Sequence, residues 1–280
     1  MFWDFSEVTQ NLPTIGAALY LPDLERHRDW LIEGQRDLEI QDFIFPEILD
    51  GDLEGFCKEA LSRLDGYKGR LGIHGPFYNL PLNARDPLIR DVVKRRLWQG
   101  LDACELLGAT HMVVHSPYTT WGYNNLDKTA TGREELLEHC HLTMADAVRR
   151  AENIGCTLVI ENIEDKDPAA RVLLAQSFES SAVGVSIDTG HAYYAHGSTG
   201  APPVDYYVSA AGRHLAHVHI QDADGYADRH WPPGAGTLNW RAFFAALARS
   251  EADPRLVLEL DDNDRILEGA AWLIAEGLAR

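Results

Sequence analysis

Six short apolar runs in this 280-residue chain each carry a carboxylate or an imidazole at or next to their final position. They are LGIHG with His74, MVVHS with His115, LVIEN with Glu161, VSIDT with Asp188, AHVHI with His219 and LVLELD with Glu259. Side chains so far apart in sequence share one site only if the strands that carry them converge. A closed barrel of parallel strands does this, because the C-terminal ends of all its strands open into one cup. The expected fold class is therefore α/β, a single (β/α)8 TIM barrel spanning residues 1–280 as one domain.

The rest of the chain alternates to match. Strands are expected from Thr14 (TIGAALY), Asp37 (DLEIQDF), Arg70 (RLGIHG), Thr110 (THMVVHS), Cys156 (CTLVIEN), Val183 (VGVSIDT), His214 (HLAHVHI) and Arg255 (RLVLELD). Helical patterns are expected over 24–34, 53–64, 87–107, 133–154, 169–176, 204–211, 240–250 and 265–278. Gly108 and Gly155 each follow a helical run just before a strand, as a glycine beyond a helix C-terminus should. An open doubly wound sheet is the alternative, but no GxGxxG follows the first strand. Three stretches are expected to be irregular and to rim the cup: 116–128, 190–203 and 221–239.

The net charge of −18 disfavours an extended nucleic-acid surface, which needs clustered Lys and Arg. Arg85, Arg90, Lys94, Arg95 and Arg96, interleaved with Asp86 and Asp91, are expected on the solvated face of a helix. No run of about 18 apolar residues suggests a membrane span. The opening MFWDFSEVTQ lacks the basic and apolar regions of a secretory signal. Cys57, Cys104, Cys140 and Cys156 show no CxxC spacing, and buried reduced thiols in a cytoplasmic protein are expected.

Four consecutive strands would deliver Glu161, Asp188, His219 and Glu259 to one mouth. Buried acids are costly unless paired or bound to a metal. Three acids and an imidazole together are a ligand set for a divalent cation such as Mn, Zn, Co or Mg. One ion is expected there. His74 and His115 suggest a second metal or a substrate-binding wall. Asp228 and His230 alternate in a loop that could close on the same place, and up to three ions would then be held. Gly190 is expected to form a tight turn that returns His191 toward the cup. Gly234 and Gly236 are expected to let the chain pass close to the site. His217 faces the same side as His219, one layer deeper. His196 is read as a loop residue, and His139 and His141 as surface residues of a helix. Trp121 and Trp231 are expected to wall a substrate pocket.

These motifs resemble the xylose isomerase-like barrel superfamily, which groups sugar isomerases and epimerases with endonuclease IV. The resemblance runs from about Ile73 to Glu259. IDTGHAYYAHG is similar to the DTCHAFAAG of endonuclease IV-type enzymes, and DRHWPPGAG to their DRHxxxGxG. In those enzymes the positions of His74, His115, Glu161, Asp188, His191, His219, Asp228, His230 and Glu259 hold three zinc ions. Sugar epimerase relatives keep DTGHA, HVH and a PGxG loop with a single metal. HIQDADGYADRHWPPGAGTLNW also resembles hydroxypyruvate isomerase. HSPYTTW stands where endonuclease IV has HPGSH, and IENIED where it has IENT.

The resemblance implies a cytoplasmic, divalent-metal-dependent sugar or sugar phosphate isomerase or epimerase. Glu161 and Glu259 would exchange a proton beside a carbonyl, His191 would bind a substrate oxygen, and Arg229 would partner an anion. The expected partner is a small hydroxy-carbonyl substrate, with neither nucleic acid nor membrane, and a homo-oligomer is compatible. Dehydration of a polyol ketone would use the same proton abstraction. The alternative is an endonuclease IV-like multinuclear phosphodiesterase. A third class is an inert metal- or sugar-binding barrel, which would not need a paired acid and base.

Overall fold

A computed structural model describes residues 12–280. The opening MFWDFSEVTQ lies outside the described residues. Eight parallel strands close into a barrel in sequence order. They are β1 (Gly16–Leu19), β2 (Leu38–Ile40), β3 (Leu71–His74), β4 (His111–His115), β5 (Thr157–Glu161), β6 (Val183–Asp188), β7 (Leu215–Ile220) and β8 (Arg255–Leu258). The barrel closes where Gly16 pairs with Val257 and Ala17 with Leu258. The eightfold β/α alternation expected from the sequence is present.

The intervening helices are α1 (Leu24–Gly34), α2 (Pro46–Leu49), α3 (Leu53–Arg63), α4 (Pro87–Leu107), α5 (Thr120–Asn124), α6 (Gly132–Ile154), α7 (Pro168–Ser177), α8 (Thr189–Thr199), α9 (Val204–Ala211), α10 (Trp240–Arg249) and α11 (Ile266–Ala275). Local chemistry sets their ends. Asp86 and Asp167 cap helices whose first residue is proline, accepting from Leu88 N–H and Ala169 N–H. Gly108 and Gly155 take left-handed φ values of 66° and 70° beyond α4 and α6, which a side chain would resist.

Alternation along the strands separates two environments. One set of strand positions, including Ile73, Met112, Val114, Leu158, Ile160, Val185, Ile187, Val218, Ile220, Leu256 and Leu258, belongs to the apolar core shared with the helices. Burying each such side chain contributes about 2 kcal/mol. The other set faces the barrel interior and is polar over much of its length: Glu39, His74, Glu161, Ser186, Asp188, His217, His219 and Arg255 are all buried. The register aligns them, with His115 beside Glu161 and Asp188 beside His219.

Two stretches expected to be irregular are partly helical. Residues 116–128 contain α5, and 190–203 are largely α8, so His196 is a helix residue. The physical reason for α8 is a cap: Asp188 ends β6 and accepts from His191 N–H at 2.7 Å, starting a helix directly at the strand end. Gly190 is therefore no turn glycine. It is needed because a Cβ there would overlap the Gln221 side chain. His139 and His141 are half-buried and not surface residues. His141 stacks on Phe178 with ring centroids 4.2 Å apart, because α6 packs against the end of α7.

Of the basic cluster, Arg90, Lys94, Arg95 and Arg96 lie on α4 and Arg85 just before it; Arg85 and Arg95 are exposed, and the other three are half-buried. Arg96 meets Asp50 at 2.8 Å and Arg85 meets Glu135 at 3.1 Å. All four cysteines are buried and free. Among the described residues no helix is long and apolar enough to cross a membrane.

Candidate functional site

The ends of β5 to β8 bring Glu161, Asp188, His219 and Glu259 together. Each offers one ligand atom, and those four atoms lie within 4.8 Å of one another. His219 Nδ1 lies 3.0 Å from Glu161 Oε1 and 3.2 Å from Glu259 Oε2. All four side chains are buried.

Two flanking clusters adjoin this one. His74 Nε2 and His115 Nε2 each lie 3.6 Å from Glu161 Oε2, so Glu161 is shared with the central set. On the other side, Asp228 sits between two imidazoles, 3.2 Å from His191 Nε2 and 3.1 Å from His230 Nε2. The structure thus gathers the nine residues into three groups: His74–His115–Glu161, the central four, and His191–Asp228–His230.

Amide side chains that the sequence did not single out hold these groups in place. Asn162 clamps Asp188: its Oδ1 accepts from Asp188 N–H at 3.0 Å and its Nδ2 donates to Asp188 O at 2.9 Å. The Asn162 carbonyl lies 2.9 Å from His191 Nδ1, leaving Nε2 to face Asp228. Gln41 donates to Glu259 Oε1 at 2.7 Å. Gln221 links two clusters, donating to Asp188 Oδ1 at 3.1 Å and Asp228 Oδ1 at 2.9 Å and accepting from His230 N–H at 2.8 Å. That last bond helps hold His230 at φ 46°, a left-handed conformation uncommon for a side-chain-bearing residue. Glu39 was also missed. It reaches both imidazoles of β7, 3.0 Å from His219 Nε2 and 3.2 Å from His217 Nε2. His217 lies below His219 and is also held at Nδ1, 2.9 Å from Ser186 Oγ.

The field of the cup is strongly negative. Burial opposes a proton on His219, but Glu259, Glu39 and Glu161 outweigh it and raise its proton affinity well above the ordinary histidine value. His230 is pushed up to about 10, because Asp228, Glu259 and Asp188 outweigh its burial. The two central glutamates diverge. Burial pushes Glu161 up, yet the rings of His219, His74 and His115 hold it well below the usual carboxylate range. Burial dominates at Glu259 and raises it.

A divalent cation fits this donor set. Glu161 Oε2 is buried with no hydrogen-bond partner among the described residues, although two imidazole nitrogens stand 3.6 Å away. A buried carboxylate oxygen left without a hydrogen-bond partner is expensive unless a cation shares it. Carboxylates and imidazoles together suit manganese, zinc, cobalt or magnesium.

Arg229, Trp121 and Trp231 belong to none of the three groups. Arg229 Nε and Nη2 both donate to Asp224 Oδ2, at 3.1 and 2.8 Å, so its charge is engaged at the rim. Trp121, 75% exposed on α5, stands outside the neighbouring cavity. Trp231 is half-buried and pairs through its backbone with Asp222, with Arg229 over its ring. Gly234 and Gly236 serve that loop by close approach to Trp272 and Asp222, where a Cβ would overlap. Asp222 Oδ2 accepts from Gly234 N–H and Trp240 Nε1–H. A cavity of about 820 Å³ meets the cup at His115 and is walled by Phe77, Tyr118, Tyr123, Asn79 and Glu164.

The strand ends of one closed barrel thus gather carboxylates and imidazoles in groups with the spacing a metal ion needs. The chain belongs to the xylose isomerase-like TIM barrel family, whose model matches residues 37–276. It is 23% identical over 191 residues to the uncharacterized protein MJ1311 of Methanocaldococcus jannaschii, a match covering 65% of this chain and 61% of that protein. It resembles the TTHB071 protein from Thermus thermophilus, solved after soaking with ZnCl2, at 27% identity and a TM-score of 0.69, over 94% of this chain and 98% of that one. A D-tagatose 3-epimerase-like protein matches over 95% of this chain and all of its own, at 20% identity and a TM-score of 0.71.

Proposed function

We propose that the chain is a divalent-metal-dependent sugar isomerase or epimerase. One arrangement carries this reading. Two buried carboxylates, Glu161 and Glu259, flank one imidazole nitrogen at 3.0 and 3.2 Å, with Asp188 beside them. Glu161, Asp188, His219 and Glu259 would hold the cation, which when bound polarises the carbonyl of a hydroxy-carbonyl substrate. Glu161 and Glu259, on either side of His219 Nδ1, would exchange a proton with the carbon beside that carbonyl, one removing it and the other returning it. His191 would bind a substrate oxygen, and His74 and His115 would line the way to the cavity. Family membership and the fold likeness to an epimerase-like protein support this reading.

The test is turnover of ketopentoses and ketohexoses, free and phosphorylated, in deuterated solvent by protein loaded with manganese or zinc. Metal-dependent conversion accompanied by exchange of the hydrogen beside the carbonyl is expected. No conversion across the panel would sink the reading.

A second reading is favoured by the grouping of nine ligands into three clusters. Three cations there would suit hydrolysis of a phosphodiester, as in endonuclease IV-type enzymes. The rim offers little to a polyanion. Arg229 is bound to Asp224, Arg85 to Glu135, and Lys128 lies over Trp121. Efficient, metal-dependent incision of a duplex at an abasic position would replace the first reading with this one.

A further inference from the structure

We propose that Glu39 fixes the orientation and proton placement of His219, so that Nδ1 is free for a bound cation; this rests on the central metal site proposed above. Glu39 is a positioning residue, because it would act on the cation only through His219.

The argument starts from the imidazole. A neutral ring has one proton and one lone pair, and only the unprotonated nitrogen binds a metal. His219 Nδ1 faces Glu161 and Glu259 in the centre of the cup. The proton must then sit on Nε2, inside the barrel and away from water, where it needs an acceptor. Glu39 Oε1 is that acceptor, at 3.0 Å. Were Nε2 without a partner, the other tautomer or a rotated ring would compete, and the central group would lose its one imidazole donor. Metal-bound histidines in general rely on such an outer hydrogen bond.

The sequence and the fold build this contact deliberately. Leu38 and Ile40 are in the apolar core, so Glu39 between them faces the barrel interior. Its neighbours across the strands are Ala18 and Gly72, two small residues that leave the carboxylate room to reach β7. The second oxygen, Oε2, lies 3.2 Å from His217 Nε2, and His217 Nδ1 lies 2.9 Å from Ser186 Oγ. Ser186 is thus bonded to His217 and Glu39 to His219, while His217 and Glu39 approach each other without a hydrogen bond between them. Packing alone does not explain a carboxylate here. An apolar side chain of like volume would fill the space without the desolvation cost of a buried charge.

The experiment measures cation affinity and needs no turnover. Manganese and zinc binding to chelator-treated parent, Glu39→Gln and Glu39→Ala proteins is titrated by calorimetry. The visible spectrum of each cobalt-loaded protein and its far-UV circular dichroism without metal are recorded alongside. Glu39→Gln keeps the size and an accepting oxygen but not the charge. We expect it to weaken binding about tenfold and Glu39→Ala about a hundredfold, with an altered cobalt spectrum and the metal-free fold unchanged. If Glu39→Ala does not fold, the isosteric Gln variant decides. Parent-like affinity and cobalt spectrum in the folded variants would overturn the proposal while leaving the metal site standing. A parent that binds no divalent cation would overturn the site and this role together.

Discussion

Replacing Gly190 by alanine sets two effects of opposite sign against each other. Gly190 lies in the first turn of α8, where alanine would ordinarily stabilise a helix by up to about 1 kcal/mol. A Cβ there overlaps the Gln221 side-chain amide. That amide is buried and makes three bonds that matter: to Asp188, to Asp228 and from His230 N–H. Two are to carboxylates, worth about 1.5–3 kcal/mol each, and the third is worth about 1 kcal/mol. Displacing the amide would cost several times what the helix gains. The expected net effect of Gly190→Ala is a loss of about 2–3 kcal/mol, after allowing for partial relaxation. Asp188 and Asp228 would lose their common support, so cation binding should also weaken by about tenfold or more. Urea denaturation of chelator-treated protein reads the first effect, and metal titration reads the second. A variant as stable as the parent or more so, with unchanged metal affinity, would refute the reasoning.

Further expectations concern single roles. Glu161→Gln and Glu259→Gln should each abolish turnover of a keto-sugar while circular dichroism stays parent-like; unimpaired turnover in both would sink the acid/base assignment. His115→Ala should raise KM about tenfold with kcat held within a few-fold, since a wall residue loses only its own contact; a loss confined to kcat would place His115 in the reacting centre instead. Burial pushes Asp42 from 3.8 up to about 6, although Leu21 N–H donates to it at 2.7 Å. The folded protein therefore binds this proton more tightly, so its share of stability is full below about pH 4 and lost as pH rises through 6. The gap corresponds to at most about 3 kcal/mol. Asp42→Asn should remove this part of the pH dependence between pH 4 and 7 in denaturation midpoints; identical profiles would contradict it.

The barrel and most of the cup were legible because the chemistry sits at strand ends. Apolar runs closed by His74, Glu161, Asp188 or His219 mark both the strand and its exit, and the fold then supplies convergence. What escaped lacked such a mark. Glu39 lies in a three-residue strand between Leu38 and Ile40, and alternation alone does not tell a solvent face from a polar barrel interior. Gln41, Asn162 and Gln221 follow strand ends but resemble loop residues, since their roles depend on bonds across 26 to 218 positions of sequence. Gly190 gave a true signal with the wrong cause: the restriction comes from Gln221, not from a turn. The pairing of Arg229 was not legible for a local reason. The loop folds Asp224 back onto it, and no periodicity encodes that.

Glu161, Asp188, His219 and Glu259 are proposed to bind a divalent cation together. Elemental analysis of parent and Asp188→Ala proteins, each purified without chelator and then loaded with manganese or zinc and desalted, addresses this directly. One tightly held ion per parent chain is expected, and its loss in the Asp188→Ala variant. Full metal content in the variant, or none in the parent, would contradict the proposal.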